Sequence, residues 1–402
     1  MASYSLGSMT AGTTTGAVPV DQASHRSPAV GPQAAVRLLV GTRKGAFIAE
    51  SDVDRREWRL HGPCLPGHQI MHMAFEPRSG ILFSAGGEPW FGSRVYQSWD
   101  FGRTWDAPAS GPIIPAGSNE KLEKVWHVTP GRALDPGVVH AGVEPAAMFK
   151  SGDDSATWLH IESLSHHPTR SQWQPGAGGL CLHTIVLDPL ERDRALVAIS
   201  AAGVFRTDDG DTSWRHANNG TRANFMPDQE PVYPEFGQCV HKVVPHPARP
   251  GRLYQQDHCG VYRSDNWGDS WTEITAGMPS DCGFPIAVHP HDPDTLYVCP
   301  GNSGYHHWVP DGQLAVYRSR NAGETWERLS KGLPQTDAFH SGRHGDRPAR
   351  NPGPVSRYEH RPALHLGRRG RQLGTLPSDV PTDPQRGHDR IGGRPSGRAA
   401  RP

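Results

Sequence analysis

The chain has 402 residues, with 41 Lys and Arg balanced by 41 Asp and Glu and an apolar fraction of 35%. That length allows a large core. The balanced charge argues against a polybasic nucleic-acid module, and no stretch approaches the roughly twenty apolar residues of a membrane-spanning helix. Six cysteines, spread without a Cys-x-x-Cys pair, read as separate buried thiols rather than a disulfide framework.

Residues 1–35 are rich in Ser, Thr, Ala, Gly and Pro and read as a flexible leader. They lack a basic segment followed by an apolar one, so no secretory signal is expected; with reduced thiols this points to the cytoplasm. Residues 36–42 suit the second strand of a sheet, 46–48 a third and 58–60 an outer strand. No inner strand precedes them, and the expectation is that the far end of the chain supplies it.

From here one phrase recurs. It runs Ser98, Asp100, Gly102, Thr104, Trp105 at alternating places, then Ser264, Asn266, Gly268, Ser270, Trp271, and then Ser319, Asn321, Gly323, Thr325, Trp326. Looser copies carry Asp153 and Trp158, and Asp209 and Trp214, and a degenerate one spans 51–58. The closing tryptophans fall at 58, 105, 158, 214, 271 and 326. A period near fifty residues specifies a repeat architecture. The Asp or Asn should accept hydrogen bonds from backbone amides two residues on, the Gly should take positive φ, and the Trp should fill the space between neighbouring sheets. Ser155 and Asp211 stand where Gly is expected, so those turns should be strained or shifted onto Gly210.

Residues 180–216 show one unit in full. An apolar run at 182–187, a second at 195–199, a third at 204–206 and a short outer strand at 213–215 are separated by turn residues. Four short strands per period define a β-propeller blade. The fold expected is all-β: a propeller of four-stranded blades, six recognisable, with a seventh lost in an out-of-frame C-terminus.

The phrase matches the Asp-box, or BNR repeat, and the chain resembles the Asp-box β-propellers over about 36–334. That family includes sialidases, xyloglucan-cleaving hydrolases, sortilin-type receptors and photosystem assembly factors, and it borders the WD40- and YVTN-type repeat proteins. The resemblance implies a propeller but no particular activity, because the same fold hosts enzymes and binders. Sialidases carry an Arg-Ile-Pro near the first strand, which this chain lacks, and xyloglucan-type enzymes use two propellers where this chain has one.

Strand alternation sorts the loops onto two faces. The repeated turns and the first-to-second-strand turns share one. The second-to-third-strand loops and the connections at 107–121, 160–179 and 218–238 share the other, which is the expected recognition face. Glu88, Glu144 and Asp257 are the candidate catalytic carboxylates there, as a glycoside hydrolase needs two. Arg43, His72, Trp90, Trp173, His183, His241 and His258 are the candidate ligand-binding residues, able to stack on and hydrogen-bond a polar, sugar-like ligand; Lys124, His127 and Asp228 lie near the same rim. The 289–294 segment, with His289, His291, Asp292 and Asp294, reads as turn chemistry rather than a metal cluster, and neither a metal nor a cofactor is expected. The partners expected are a small molecule, a glycan or a protein; the net-acidic propeller argues against nucleic acid, and no membrane is expected.

Past residue 334 the pattern fails. Residues 341–402 hold 13 Arg and no Lys, Trp, Phe or Cys. This reads as a GC-rich gene translated out of frame, with a basic disordered tail as the alternative. The domain plan is therefore a leader at 1–35, a propeller at 36–334 and a tail at 335–402. The function expected is ligand or partner binding through the loop-rich face without catalysis; the alternative is a sialidase-like or xyloglucanase-like hydrolase.

Overall fold

The computed structural model describes residues 36–335, apart from 89–91, 117, 119, 225–229 and 303–307. The expected leader, the Arg-rich tail with its lost seventh blade, Trp90 and Asp228 all lie outside the described residues.

Blade 1 contains β1 (Val36–Thr42), β2 (Gly45–Ser51) and β3 (Trp58–Cys64), paired in that order. Blade 2 contains β4 (Gln69–Glu76), β5 (Ile81–Glu88) and β6 (Gly92–Ser98). Blade 3 contains β7 (Lys124–Pro130), β8 (Val139–Glu144), β9 (Ala147–Ser151) and β10 (Leu159–His160). Blade 4 contains β11 (Cys181–Leu187), β12 (Ala195–Ser200), β13 (Gly203–Thr207) and β14 (Arg215–His216). Blade 5 contains β15 (Val240–Pro245), β16 (Leu253–Asp257), β17 (Gly260–Ser264) and β18 (Thr272–Glu273). Blade 6 contains β19 (Gly283–His289), β20 (Asp292–Pro300), β21 (Val316–Ser319) and β22 (Glu327–Leu329). All pairings are antiparallel between sequence neighbours. The described residues form an all-β propeller of six blades.

The two three-stranded blades are short for different reasons. In blade 1, β2 ends on Ser51 and leads into the degenerate phrase, which makes it the third strand of the plan. Its β1 packs on β4 as other second strands pack on the next inner strand, so the inner position is the one missing among the described residues. In blade 2 the outer strand has shrunk to a single bridge between Gln97 and Asp106.

The inner strands β4, β7, β11, β15 and β19 pack consecutively around an axis. Apolar clusters fill the spaces between successive blades from 2 to 6. Phe83, Val95, Val143 and Phe149 join blades 2 and 3. Met148, Ile185, Phe205 and Trp214 join 3 and 4. Leu196, Val204, Tyr262 and Trp271 join 4 and 5. Tyr254, Val261, Ile286 and Leu296 join 5 and 6.

The repeated turn has one geometry in its five clear copies. Ser98 Oγ accepts the Gly102 amide at 2.7 Å, while Asp100 Oδ1 accepts the Thr104 amide at 2.9 Å. The same pair recurs with Asp153 and Thr157, Asp209 and Ser213, Asn266 and Ser270, and Asn321 and Thr325. The carboxylate or amide thus caps the amide four residues on, not two as expected. The cause is two successive left-handed residues, Phe101 and Gly102 in the first copy, which curl place seven back over place three. Ser155 (φ 72°) and Asp211 (φ 69°) take the strained glycine conformation without a shift. Asp211 still donates its amide to Thr207 Oγ1, as the glycines do. The indole N–H of Trp271 donates to Ala217 O and that of Trp326 to Ile274 O, each in the preceding blade.

Arginines stitch the same face from blade to blade. Arg78 donates to Arg132 O and Ala133 O, Arg132 to Asp188 O and Arg194 O, and Arg206 to Trp267 O. Buried Arg252 bonds Asp294, and Arg263 bonds Ala322 O. The 289–294 segment serves as the turn between β19 and β20, and His246 Nε2 bonds His289 O.

Candidate functional site

The loop-rich face begins with a defect shared by the described inner strands. The ladder skips a residue between Ile70 and His72, Val125 and His127, Leu182 and Thr184, Val240 and Lys242, and again between Gly283 and Ile286. A bulge re-aims the side chains beside it. Here it turns histidines toward the neighbouring blade and the axis.

His72 Nδ1 hydrogen-bonds Val128 O at 3.1 Å, His183 Nε2 bonds Val240 O at 2.9 Å, and His241 Nδ1 bonds Gly283 O at 2.5 Å. Each acceptor belongs to the next blade, or to its inner strand's first residue. His72 and His127 lie with ring centroids 4.1 Å apart. Burial holds the His127 imidazole well below its ordinary range, and repulsion from His72, Lys242 and His183 adds to this. Those four residues come from blades 2, 3, 4 and 5. Burial also pushes the Lys242 ammonium down to about 8.

The candidate carboxylates sit on separate blades. Glu144, 8% exposed, accepts from Lys124 Nζ at 2.6 Å and from the Trp126 indole at 2.8 Å. A Cβ at Gly179 would collide with its carboxylate, so the neighbouring connection closes over it. Asp257 is wholly enclosed. Its carboxylate accepts the His258 amide at 2.5 Å and Gln255 Nε2 at 3.1 Å, and burial raises its pKa to about 8. Glu88 is half-buried at the end of β5, beside the undescribed 89–91.

Arg43 is exposed in the β1–β2 turn. Trp173 turns inward. It is 5% exposed, packs against Phe205 at 4.7 Å and donates its indole N–H to Thr169 Oγ1 at 2.9 Å. The connection that carries it contains α1 (Glu162–Ser165) and a 3-10 turn at Arg170–Gln172. His258 caps the β16–β17 turn, half-buried, with its amide also bonding Cys239 O at 3.0 Å. Its ring lies 5.5 Å from that of His241. Sulfur and nitrogen donor atoms of Cys239, His241 and His258 all fall within 4.8 Å of one another.

Sequence reasoning did not single out Cys239 or Lys242. A signal for the first was present, since Cys239 stands two residues before His241 at a strand start, within reach of its side chain. Lys242 follows His241 in the position His127 holds in blade 3, a correspondence visible only once the bulges align the strands.

No protein-family model matches the chain, and no curated protein sequence matches it. Solved structures do resemble it. The GH74 xyloglucanase from Xanthomonas campestris is 18% identical with a TM-score of 0.51, over 74% of this chain and 44% of that one. An ancestral GH74 enzyme is 17% identical with a TM-score of 0.49, over 67% of this chain and 32% of that one. YCF48 bound to D1 peptide is 15% identical with a TM-score of 0.44, over 75% of this chain and 84% of that one. The chain spans less than half the length of these GH74 chains. At such identities the likeness to the Xanthomonas enzyme establishes the β-propeller fold alone. Among the described residues no helix is long and apolar enough to cross a membrane.

Proposed function

We propose that the chain is a non-catalytic Asp-box propeller that binds a polar ligand or partner protein through its loop-rich face. The observation that carries this reading is the fate of the carboxylates. Glu144 is held by Lys124 and Trp126 and covered at Gly179, and Asp257 is wholly enclosed. Neither offers an oxygen to a glycosidic bond, which a two-carboxylate hydrolysis requires. The contrast between the faces supports it further. The turn face spends its polar groups on repeated hydrogen bonds and arginine stitches, whereas the connections of the other face repeat neither sequence nor structure. Large side chains are exposed on that face at Ile113, Tyr233 and Trp308, as Leu134 and Leu190 are on the turn face.

The test is a binding and turnover panel of soluble polysaccharides, oligosaccharides and peptides with the full chain. Binding without release of reducing ends is expected, weakened by Tyr233→Ala or Trp308→Ala and unchanged by Leu134→Ala or Leu190→Ala on the turn face. Reducing-end release that disappears in Glu88→Gln or Glu144→Gln would overturn the reading in favour of a hydrolase.

A further inference from the structure

We propose that Cys239, His241 and His258 form a binding site for a divalent transition metal of the zinc class, built into the loop-rich end of blade 5. The inference is independent of the recognition reading above.

Three features of the geometry support it. The first is the donor set: one sulfur and two imidazole nitrogens lie mutually within 4.8 Å, and Cys239 Sγ is 3.7 Å from His241 Nε2. Thiolate with imidazole is the set that borderline-soft ions such as Zn2+ select over Ca2+ or Mg2+. The second is the fixed tautomer. His241 Nδ1 bonds Gly283 O at 2.5 Å, and a carbonyl only accepts, so Nδ1 carries the proton and Nε2 presents its lone pair toward the sulfur. Metal-binding histidines are commonly oriented by such a bond from the other ring nitrogen. Phe284, stacked at 4.4 Å, holds the ring plane.

The third is that the supports are already in place. The His258 amide bonds Cys239 O, tying the β16–β17 turn to the residue that leads into β15. Ser200 Oγ, from the corresponding turn of blade 4, lies 3.6 Å from Cys239 Sγ, where its hydroxyl can donate to a thiolate. The bulge that skips His241 in the ladder is what frees its side chain to point this way. Three protein donors leave the fourth position of a tetrahedral ion to water or an incoming ligand.

The experiment titrates Co2+ alone into the full chain after chelator treatment and dialysis. The expected result is one tight equivalent with a sulfur-to-cobalt charge-transfer band and tetrahedral d–d intensity, displaced by Zn2+. Cys239→Ser should abolish the charge-transfer band. His258→Ala, in a half-buried turn, should weaken affinity by at least the ~10-fold that even an outer-sphere partner is worth. The chain has 23 histidines, so adventitious sites are expected, and the variants identify them. Absence of a stoichiometric thiolate-bearing site in the wild-type chain would overturn the proposal. So would Co2+ binding left unchanged by both substitutions in variants whose denaturation curves match the wild type.

Discussion

His140 should make the fold measurably acid-sensitive. It lies in β8 at 2% exposure, and its Nδ1 has no hydrogen-bond partner among the described residues. Burial pushes its pKa from 6.5 down to about 3, and the charges of Lys150 and Arg132 press in the same direction. The folded imidazole therefore binds fewer protons than the unfolded one throughout the window between those values. Stability from this residue is complete above about pH 6.5 and is lost as pH falls through the window, at up to about 1.4 kcal/mol per unit. Between about pH 6.5 and 5 the loss is about 2 kcal/mol, and the ceiling at still lower pH is about 5 kcal/mol. Urea denaturation of the wild type and of His140→Leu, each near pH 7.5 and pH 5, isolates the term. Other titrating groups act on both proteins, so only the difference between their pH responses counts. The wild type should lose about 2 kcal/mol more than the variant over that interval. Parallel pH responses would mean that His140 is either solvated or charged in the native state, and the burial argument would fail.

The repeated turn predicts substitutions of opposite sign at equivalent places. Asp211→Gly relieves a left-handed residue and removes a half-buried carboxyl whose ion pair, to Lys150, spans 4.0 Å, so the urea midpoint should rise by about 1 kcal/mol equivalent. Gly323→Ala forces a Cβ to within 2.5 Å of Ile274 Cβ at φ 96° and should lower stability by about 2–4 kcal/mol; equal tolerance of both changes would refute the shared geometry. Trp271→Phe leaves Ala217 O without its indole donor and should cost about 1–3 kcal/mol. Trp158→Phe should cost less, because the Trp158 indole nitrogen makes no hydrogen bond among the described residues, and calorimetry that ranks the pair in reverse would argue against the indole staple.

The architecture was legible because its signals are local and repeated. Each copy of the phrase carries its own turn chemistry, so strand order, blade count and the missing inner strand of blade 1 could be read from spacing. What the spacing hid was non-local. The cap from place three to place seven depends on two consecutive left-handed residues, and Asp211 shows that a side chain other than Gly is held there when the packing demands it. The arginine stitches join residues more than forty positions apart and carry no periodic mark. At the candidate site, residue types and rim position were readable, but not their orientation. Trp173 and Asp257 turn inward because aromatic packing and amide capping claim them first.

The bulges join fold and site into one argument. A regular inner strand would alternate its side chains between the two neighbouring blades, leaving little for the axis. One skipped residue near the start of each described inner strand breaks that alternation where the loop-rich face begins. It spends His72 and His183 on cross-blade hydrogen bonds that hold the ring together. It also sets His127 against His72 and His241 against Cys239. The same local defect thus serves closure in some blades and presents chemistry in others. Residue type at the bulge does not decide between the two, because His72 and His127 both follow the skipped residue, yet the first bonds Val128 O in the next blade and the second bonds Thr129 Oγ1 in its own strand. Differences among otherwise equivalent blades are therefore where recognition by this propeller is to be sought.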